Sequence, residues 1–207
     1  MIEKIGEGIE RQLRSFAQKY KRKKVLDVGC GMGNYTSIFA QHNNVTGLDL
    51  QNVVVDKYKN FTFVQGDATK MPFADNTFDL AVSFDVIEHV PKDIRMIEES
   101  FRVLKKSGRL YFGTPNKSRL TNTLLRTIGK ERIYPLNLGV DPVLGPTIHI
   151  REYTADELTK ILKSVGFVKI VITSYWFGLP FIPYGLVSTP PFLRKYCQYL
   201  FFEGQKP

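Results

Sequence analysis

Residues 23–40 read KKVLDVGCGMGNYTSIFA. Val25, Leu26 and Val28 form a short apolar run behind two lysines, which predicts a buried strand over 24–29. Gly29, Gly31 and Gly33 follow in a GxGxG pattern and lead into helical spacing over 33–41. Glycines at a strand tip allow a sharp turn and let bare backbone approach a ligand. A dinucleotide loop is spaced GxGxxG, with its pyrophosphate on the helix N-terminus. Here the third glycine comes one residue early. Asp27 also sets a carboxylate beside the loop, where a pyrophosphate would gain nothing and a cationic ligand would gain attraction.

Outward from this loop, strands are predicted at 44–50, 61–67, 78–84, 107–114, 167–175 and, as a seventh, 196–204. Helical patterns occupy 3–20, 92–104, 119–129 and 154–166. In 92–104 the apolar stripe reads Ile94, Ile97, Phe101 and Leu104. In 154–166, Thr154 and Glu157 form a capping pair and Gly166 stands at the end. Strands alternating with helices predict an α/β, doubly wound, mostly parallel sheet whose ligand sits beyond the carboxyl ends of the strands. Asp49 closes the second strand and can accept from two ribose hydroxyls. Asp67 closes the third; its carboxylate can accept from an exocyclic adenine amine, and the amide of Ala68 can donate to a ring nitrogen. One such aspartate is commonly a turn or cap residue. Three in order, each at a strand tip, are harder to explain as structure.

The 207 residues suit one domain over 1–207 with two inserts. Hydrophobic residues make up 43% and charged ones 24%, an ordinary globular balance. The formal charge is +9, fed by KYKRKK at 19–24, which reads as a solvated basic face or an attractor of nucleic acid, anionic lipid or acidic substrates. Two cysteines, Cys30 and Cys197, exclude a disulfide framework and a metal finger and suggest a reducing, cytoplasmic setting. The first sixteen residues are charged and amphipathic, without the apolar core of a signal peptide. The insert at 115–150 has the length of a lid. The insert at 176–195 is apolar, but its prolines and glycines speak against a membrane span and for a flap over the site or a surface that touches lipid.

The motif set resembles the class I S-adenosylmethionine-dependent methyltransferases over about residues 23–175. VLDVGCGMGNYT, VTGLDL, GDATKMPFADNTFDLAVS and FRVLKKSGRLYFGTPN carry the likeness. The resemblance implies a Rossmann-like sheet of seven strands with the last antiparallel, and S-adenosylmethionine as cofactor. It implies Asp27, Gly29, Cys30 and Gly31 around the methionine moiety, Asp49 at the ribose, Leu50 against the adenine face, and Gly66, Asp67 and Ala68 at the adenine. Ser83 would offer its backbone to the methionine amine. Only eleven residues separate Asp49 from Phe61, so the helix usual there must be very short or absent.

SFDVIEHVPKD at 83–93 borders the predicted pocket, and His89 is the candidate general base, against a bland role in packing near Pro91. The stretch is similar to the E-x-x-E-H segment of ubiquinone-pathway O-methyltransferases, some of which bind a divalent metal there. Asp85, Glu88 and His89 fall on those positions, with Asp85 shorter in reach. Related methyltransferases carry similar sequence without metal, and no metal is expected here. His149, Arg151 and Glu152 form a second polar cluster that lines the acceptor pocket or, for the last two, makes an ion pair. Inserts rich in Leu, Ile, Phe and Tyr favour a small apolar or amphipathic acceptor, quinone-like or lipid-linked, methylated at oxygen, with peripheral membrane contact as a further expectation. The alternative is an RNA or protein methyltransferase; SFDV stands where adenine-N6 enzymes carry an Asn/Asp-Pro-Pro-aromatic stretch, so nucleic acid is not expected. A nicotinamide enzyme is disfavoured by the glycine spacing, and a non-catalytic cofactor-binding domain by the intact motif set.

Overall fold

The computed structural model describes residues 2–53, 59–143, 145–178, 184–186 and 190–207. In chain order the elements are β1 (Ile2–Lys4), α1 (Ile5–Ala17), β2 (Lys24–Val28), α2 (Thr36–Ala40), β3 (Asn44–Asp49), β4 (Phe61–Gln65), β5 (Phe78–Phe84), a 3-10 turn (Ile87–His89), α3 (Asp93–Val103), β6 (Leu104–Pro115) and α4 (Leu120–Thr127). There follow β7 (Leu136–Asp141), β8 (Gly145–His149), α5 (Ala155–Val165), β9 (Val168–Tyr175), β10 (Tyr184–Leu186), a second 3-10 turn (Pro191–Tyr196) and β11 (Tyr199–Gln205).

Seven strands form the central sheet in the order β4-β3-β2-β5-β6-β11-β9. β2 pairs in parallel with β3 and β5, and β5 with β6. β11 runs antiparallel between β6 and β9. The order reverses at β2, between β3 and β5, so the glycine loop leaves the sheet at its switch point, where open α/β sheets leave a crevice.

Period-two alternation divides the core into two layers. Val25, Leu80, Tyr111 and Phe201 face α1 and α2, which bury Ile9, Leu13, Phe16 and Phe39 there. Their chain neighbours Leu26, Ala81, Phe112 and Phe202 face α3 and α5, which bury Met96, Ile97, Leu158 and Leu162. Strands buried on both faces read as continuous apolar runs, which is why LAV at 80–82 and LFF at 200–202 are unbroken. α5 begins with the reciprocal Thr154–Glu157 capping box and ends on Gly166 at φ 112°.

Four expectations shift. The buried stripe of α3 is Met96, Ile97, Ser100 and Val103, while Ile94 in the first turn is exposed, because the sheet meets the helix one residue further round. β6 begins at Leu104, already paired with Phe78, and the last strand begins at Tyr199. The 115–150 insert holds a hairpin, β7–β8, beside its helix. β1 pairs with β10, so part of the apolar 176–195 insert is a strand partner, and Trp176 is buried in the core. Residues 54–58, on which the missing helix after Asp49 would fall, and residues 179–183 and 187–189 of the apolar insert lie outside the described residues. Among the described residues no helix is long and apolar enough to cross a membrane.

Candidate active site

The loop after β2 is shaped by what stands above it. Gly29 (φ 73°) lies so close to Val86 that a Cβ would meet its Cγ2 at 2.3 Å. Gly31 (φ 49°) faces open space, with no heavy atom within 4 Å of where a Cβ would stand. One glycine lets β2 close against the β5 tip; the other leaves room for a ligand. The crevice there, about 360 Å³, runs from Gly29 past Asp49 and Leu50 to Gly66, Asp67 and Ala68, and is bounded opposite by Val86, His89 and Lys92. It continues into a second recess of about 500 Å³ roofed by Pro146, Thr147 and Ile148 of the hairpin. These sizes are those of small-molecule and cofactor sites.

Asp49 is braced by backbone: its Oδ2 accepts from Gly31 N (2.9 Å) and its Oδ1 from Gln51 N (3.0 Å). Each oxygen keeps a further lone pair for a ribose hydroxyl. Leu50 is 66% exposed on the crevice wall, an apolar plate with its carbonyl held by Gln65 Nε2 (2.9 Å). Asp67 folds its Oδ1 onto Thr69 N (2.7 Å), which fixes the turn carrying Ala68.

The other three sequence candidates lie beneath the crevice. Asp27 is buried and accepts from the Thr36 hydroxyl at 2.6 Å, tying the loop to α2. Burial pushes its carboxyl up to about 6, against the pull of the Thr36 bond. Cys30 is buried against Gly47, and burial raises its thiol far above the ordinary range. The Ser83 hydroxyl donates to Val28 O (2.9 Å), clamping β5 to β2. These side chains hold the frame on which the loop is carried.

Beyond the β5 tip a chamber of about 320 Å³ adjoins the second recess, with Asp85 on the wall of both. Asp85 adopts φ 55°, sparsely populated for a residue with a side chain, and donates its amide to Gly113 O (3.1 Å). Its surface is exposed onto these cavities, yet the protein packed around it displaces enough water to push its carboxyl up to about 6. Ile9, Pro115 and Leu138 give the chamber an apolar rim; His149, Glu152, Arg119, Arg132 and Tyr199 give it a polar wall. Glu152 receives Arg119 on both oxygens, one bond at 2.9 Å, and His149 Nδ1 at 3.0 Å. Burial alone would raise Glu152, but these bonds outweigh it and hold its carboxyl near 2. Arg151 pairs with Asp93 (2.9 Å) and Pro91 O (2.9 Å). Arg151 and Glu152 thus pair outward with different partners and not with each other.

His89 stands where crevice and hairpin meet. Its Nδ1 lies 2.7 Å from Ile148 O, which makes Nδ1 the protonated nitrogen and leaves Nε2 unprotonated. Burial lowers its pKa, keeping the ring neutral near pH 7. Glu88 is fully buried and accepts from the Thr114 hydroxyl (2.9 Å); burial, then the charge of Asp85, push its carboxyl up to about 8. No sequence signal pointed to Arg119, which sits in a plain helix-like stretch, or to Tyr199, which reads as strand; Thr114 was marked only as the polar end of a strand.

Residues 26–112 match a family described as a methyltransferase domain. A probable S-adenosylmethionine-dependent methyltransferase of Mycobacterium tuberculosis is 30% identical over 78% of this chain and 55% of its own length. The chain therefore spans about half of that relative. A demethylmenaquinone methyltransferase of Lactobacillus johnsonii is 27% identical over 84% of this chain and 80% of its own. The fold superposes on the crystal structure of an S-adenosylmethionine-dependent methyltransferase from Thermotoga maritima with a TM-score of 0.68 at 17% identity, covering 96% of this chain and 92% of that one. Over residues 26–112 the chain thus carries a methyltransferase domain, and its sequence likeness is to S-adenosylmethionine-dependent methyltransferases.

Proposed function

We propose that the chain transfers the methyl group of S-adenosylmethionine to an oxygen of a small amphipathic molecule of quinone-like or lipid-linked type. The observation that carries this reading is the chamber beside the crevice, apolar at Ile9, Pro115 and Leu138 and polar at Asp85 and His149. Such a wall suits a ring with an oxygen at one edge and an apolar body. Ile133 and Val140 of the 115–150 insert, 84% and 74% exposed, suit an acceptor that arrives with an apolar tail or from a lipid surface. The likeness to a demethylmenaquinone methyltransferase supports the same class.

The sulfonium methyl is already activated, so the protein's task is alignment, exclusion of water and removal of one proton. Alignment contributes up to about 7–11 kcal/mol of barrier lowering. In this reading Asp49 and Leu50 fix the nucleoside, and Val86 and Asp85 separate donor from acceptor. His89 serves proton removal at the junction, an effect of about 10²–10⁴-fold.

The test incubates the protein with radiolabelled cofactor and a cell extract, then separates lipid-soluble, RNA and protein fractions. Label in the lipid-soluble fraction is expected. Label confined to RNA or protein overturns the acceptor class. His89→Ala is expected to lower kcat by about 10²-fold or more with cofactor Kd within about twofold; the reverse pattern makes His89 a binding residue.

A further inference from the structure

The ligand set that sequence resemblance implies for a metal, Asp85, Glu88 and His89, does not gather in this fold. The donor atoms that converge are those of Glu88, His89 and His149, all within 4.8 Å of one another, while Asp85 stands on the chamber wall. We propose that Glu88, His89 and His149 form a binding site for a first-row divalent transition ion, with His149 of the hairpin in the place of Asp85. This departs from the expectation of no metal.

Three observations carry it. Oε1 of Glu88 is buried without a hydrogen-bond partner, though its sister Oε2 accepts from Thr114. A buried carboxyl oxygen left unpaired is costly. It is aimed at the imidazoles: His149 Nε2 lies 4.0 Å away. Both rings are also oriented from behind. His89 Nδ1 is engaged by Ile148 O, and His149 Nδ1 by Glu152, itself anchored on Arg119. With each Nδ1 so engaged, Nε2 is the nitrogen that each ring has left to offer a metal. A carbonyl or carboxylate behind each ligating histidine is the usual outer layer of a metal centre. The rings meet at 72° with centroids 4.8 Å apart, so they converge without stacking.

The backbone holds the two sides together, since Ile150 N donates to Glu88 O at 2.8 Å. With ligand bonds of about 2.0–2.1 Å, donor atoms stand about 3.4 Å apart in a tetrahedral site. Closing the cluster thus asks for side-chain movement of about 1 Å. Two imidazoles with one carboxylate suit zinc, iron, cobalt or manganese better than magnesium or calcium, which take oxygen ligands. Bound there, the cation would take the lone pair of His89 Nε2 and would supply Lewis acidity to an acceptor hydroxyl in the adjoining chamber, so His89 serves as base only in the metal-free protein. Only that consequence rests on the proposed O-methylation; the binding site does not.

The test strips the protein with chelator and titrates it with cobalt(II), reading visible absorption, and with zinc(II) by calorimetry. One equivalent is expected to bind. His149→Ala and Glu88→Gln are expected to weaken binding by more than about tenfold, and Asp85→Asn to bind as the unmodified protein does. Urea midpoints confirm that each variant is folded. No stoichiometric binding overturns the site, and so does unchanged binding by folded His149→Ala. Equal loss in Asp85→Asn and His149→Ala overturns the ligand assignment. S-adenosylhomocysteine binding on the same samples reports separately on the methyltransferase reading.

Discussion

On the cofactor side, Gly31 and Asp49 meet across 18 residues of chain; on the acceptor side, His89 meets Ile148 across 59. The first half is made of short motifs at the tips of β2, β3 and β4, each of which needs only its own strand to arrive in place. The second needs the β5 tip, the hairpin and the segment before α5 to pack together, and it is bound by polar side-chain contacts: Arg119, Glu152 and His149 on one side, Arg151 and Asp93 on the other. The cofactor half can therefore be damaged with little loss of fold, while damage to the acceptor half also removes structure.

The largest expected effect breaks the acceptor half. Glu152→Ala leaves the buried Arg119 guanidinium without its carboxylate, at a cost of about 3–5 kcal/mol. In a chain of this size that lowers Tm by about 10 °C. Cofactor affinity of the folded protein should hold. A Tm within about 2 °C of the parent would mean that the pair is replaced by water.

Next is the frame beneath the loop. Asp27 has its folded pKa raised to about 6 by burial, above the value near 4 of an unfolded chain. The folded state thus binds the proton more tightly. Its contribution is fully present below about pH 4 and is lost as pH rises through 6. The difference is about 2 kcal/mol between pH 4 and pH 8. Asp27→Asn should remove that slope while keeping an acceptor for Thr36. Denaturant unfolding of both proteins at the two pH values checks it, and parallel profiles would place the titration elsewhere.

The smallest effect sharpens the cofactor half. Asp49→Ala is expected to weaken S-adenosylhomocysteine binding by about 1–3 kcal/mol, the scale of a lost charge-assisted hydrogen bond. The urea midpoint should change little. An unchanged Kd in calorimetry would remove Asp49 from the ribose.

Much of the fold was legible because its signals are local. Apolar runs marked the strands, the capping box marked α5, and glycines and aspartates marked the tips. Within that list, the side chains of Asp27, Cys30 and Ser83 engage Thr36, packing and Val28, while the contact expected of Ser83 is a backbone one. A motif fixes where a residue falls on the strand, and strand alternation then decides whether it faces ligand or core. Ile94 was misread for a related reason: a helix stripe read alone leaves its phase free by one residue until a sheet face fixes it.

By itself the sequence determined the parallel α/β order, the glycine loop and the acidic strand tips, because each follows from neighbours in the chain and the two backbone periods. Only the tertiary structure decided that His149 joins Glu88 and His89, that Asp85 stands apart on the chamber wall, and that Arg119 anchors Glu152. Those are meetings of side chains far apart in sequence, and no local period encodes them; they exist only once the hairpin has closed over the tip of β5.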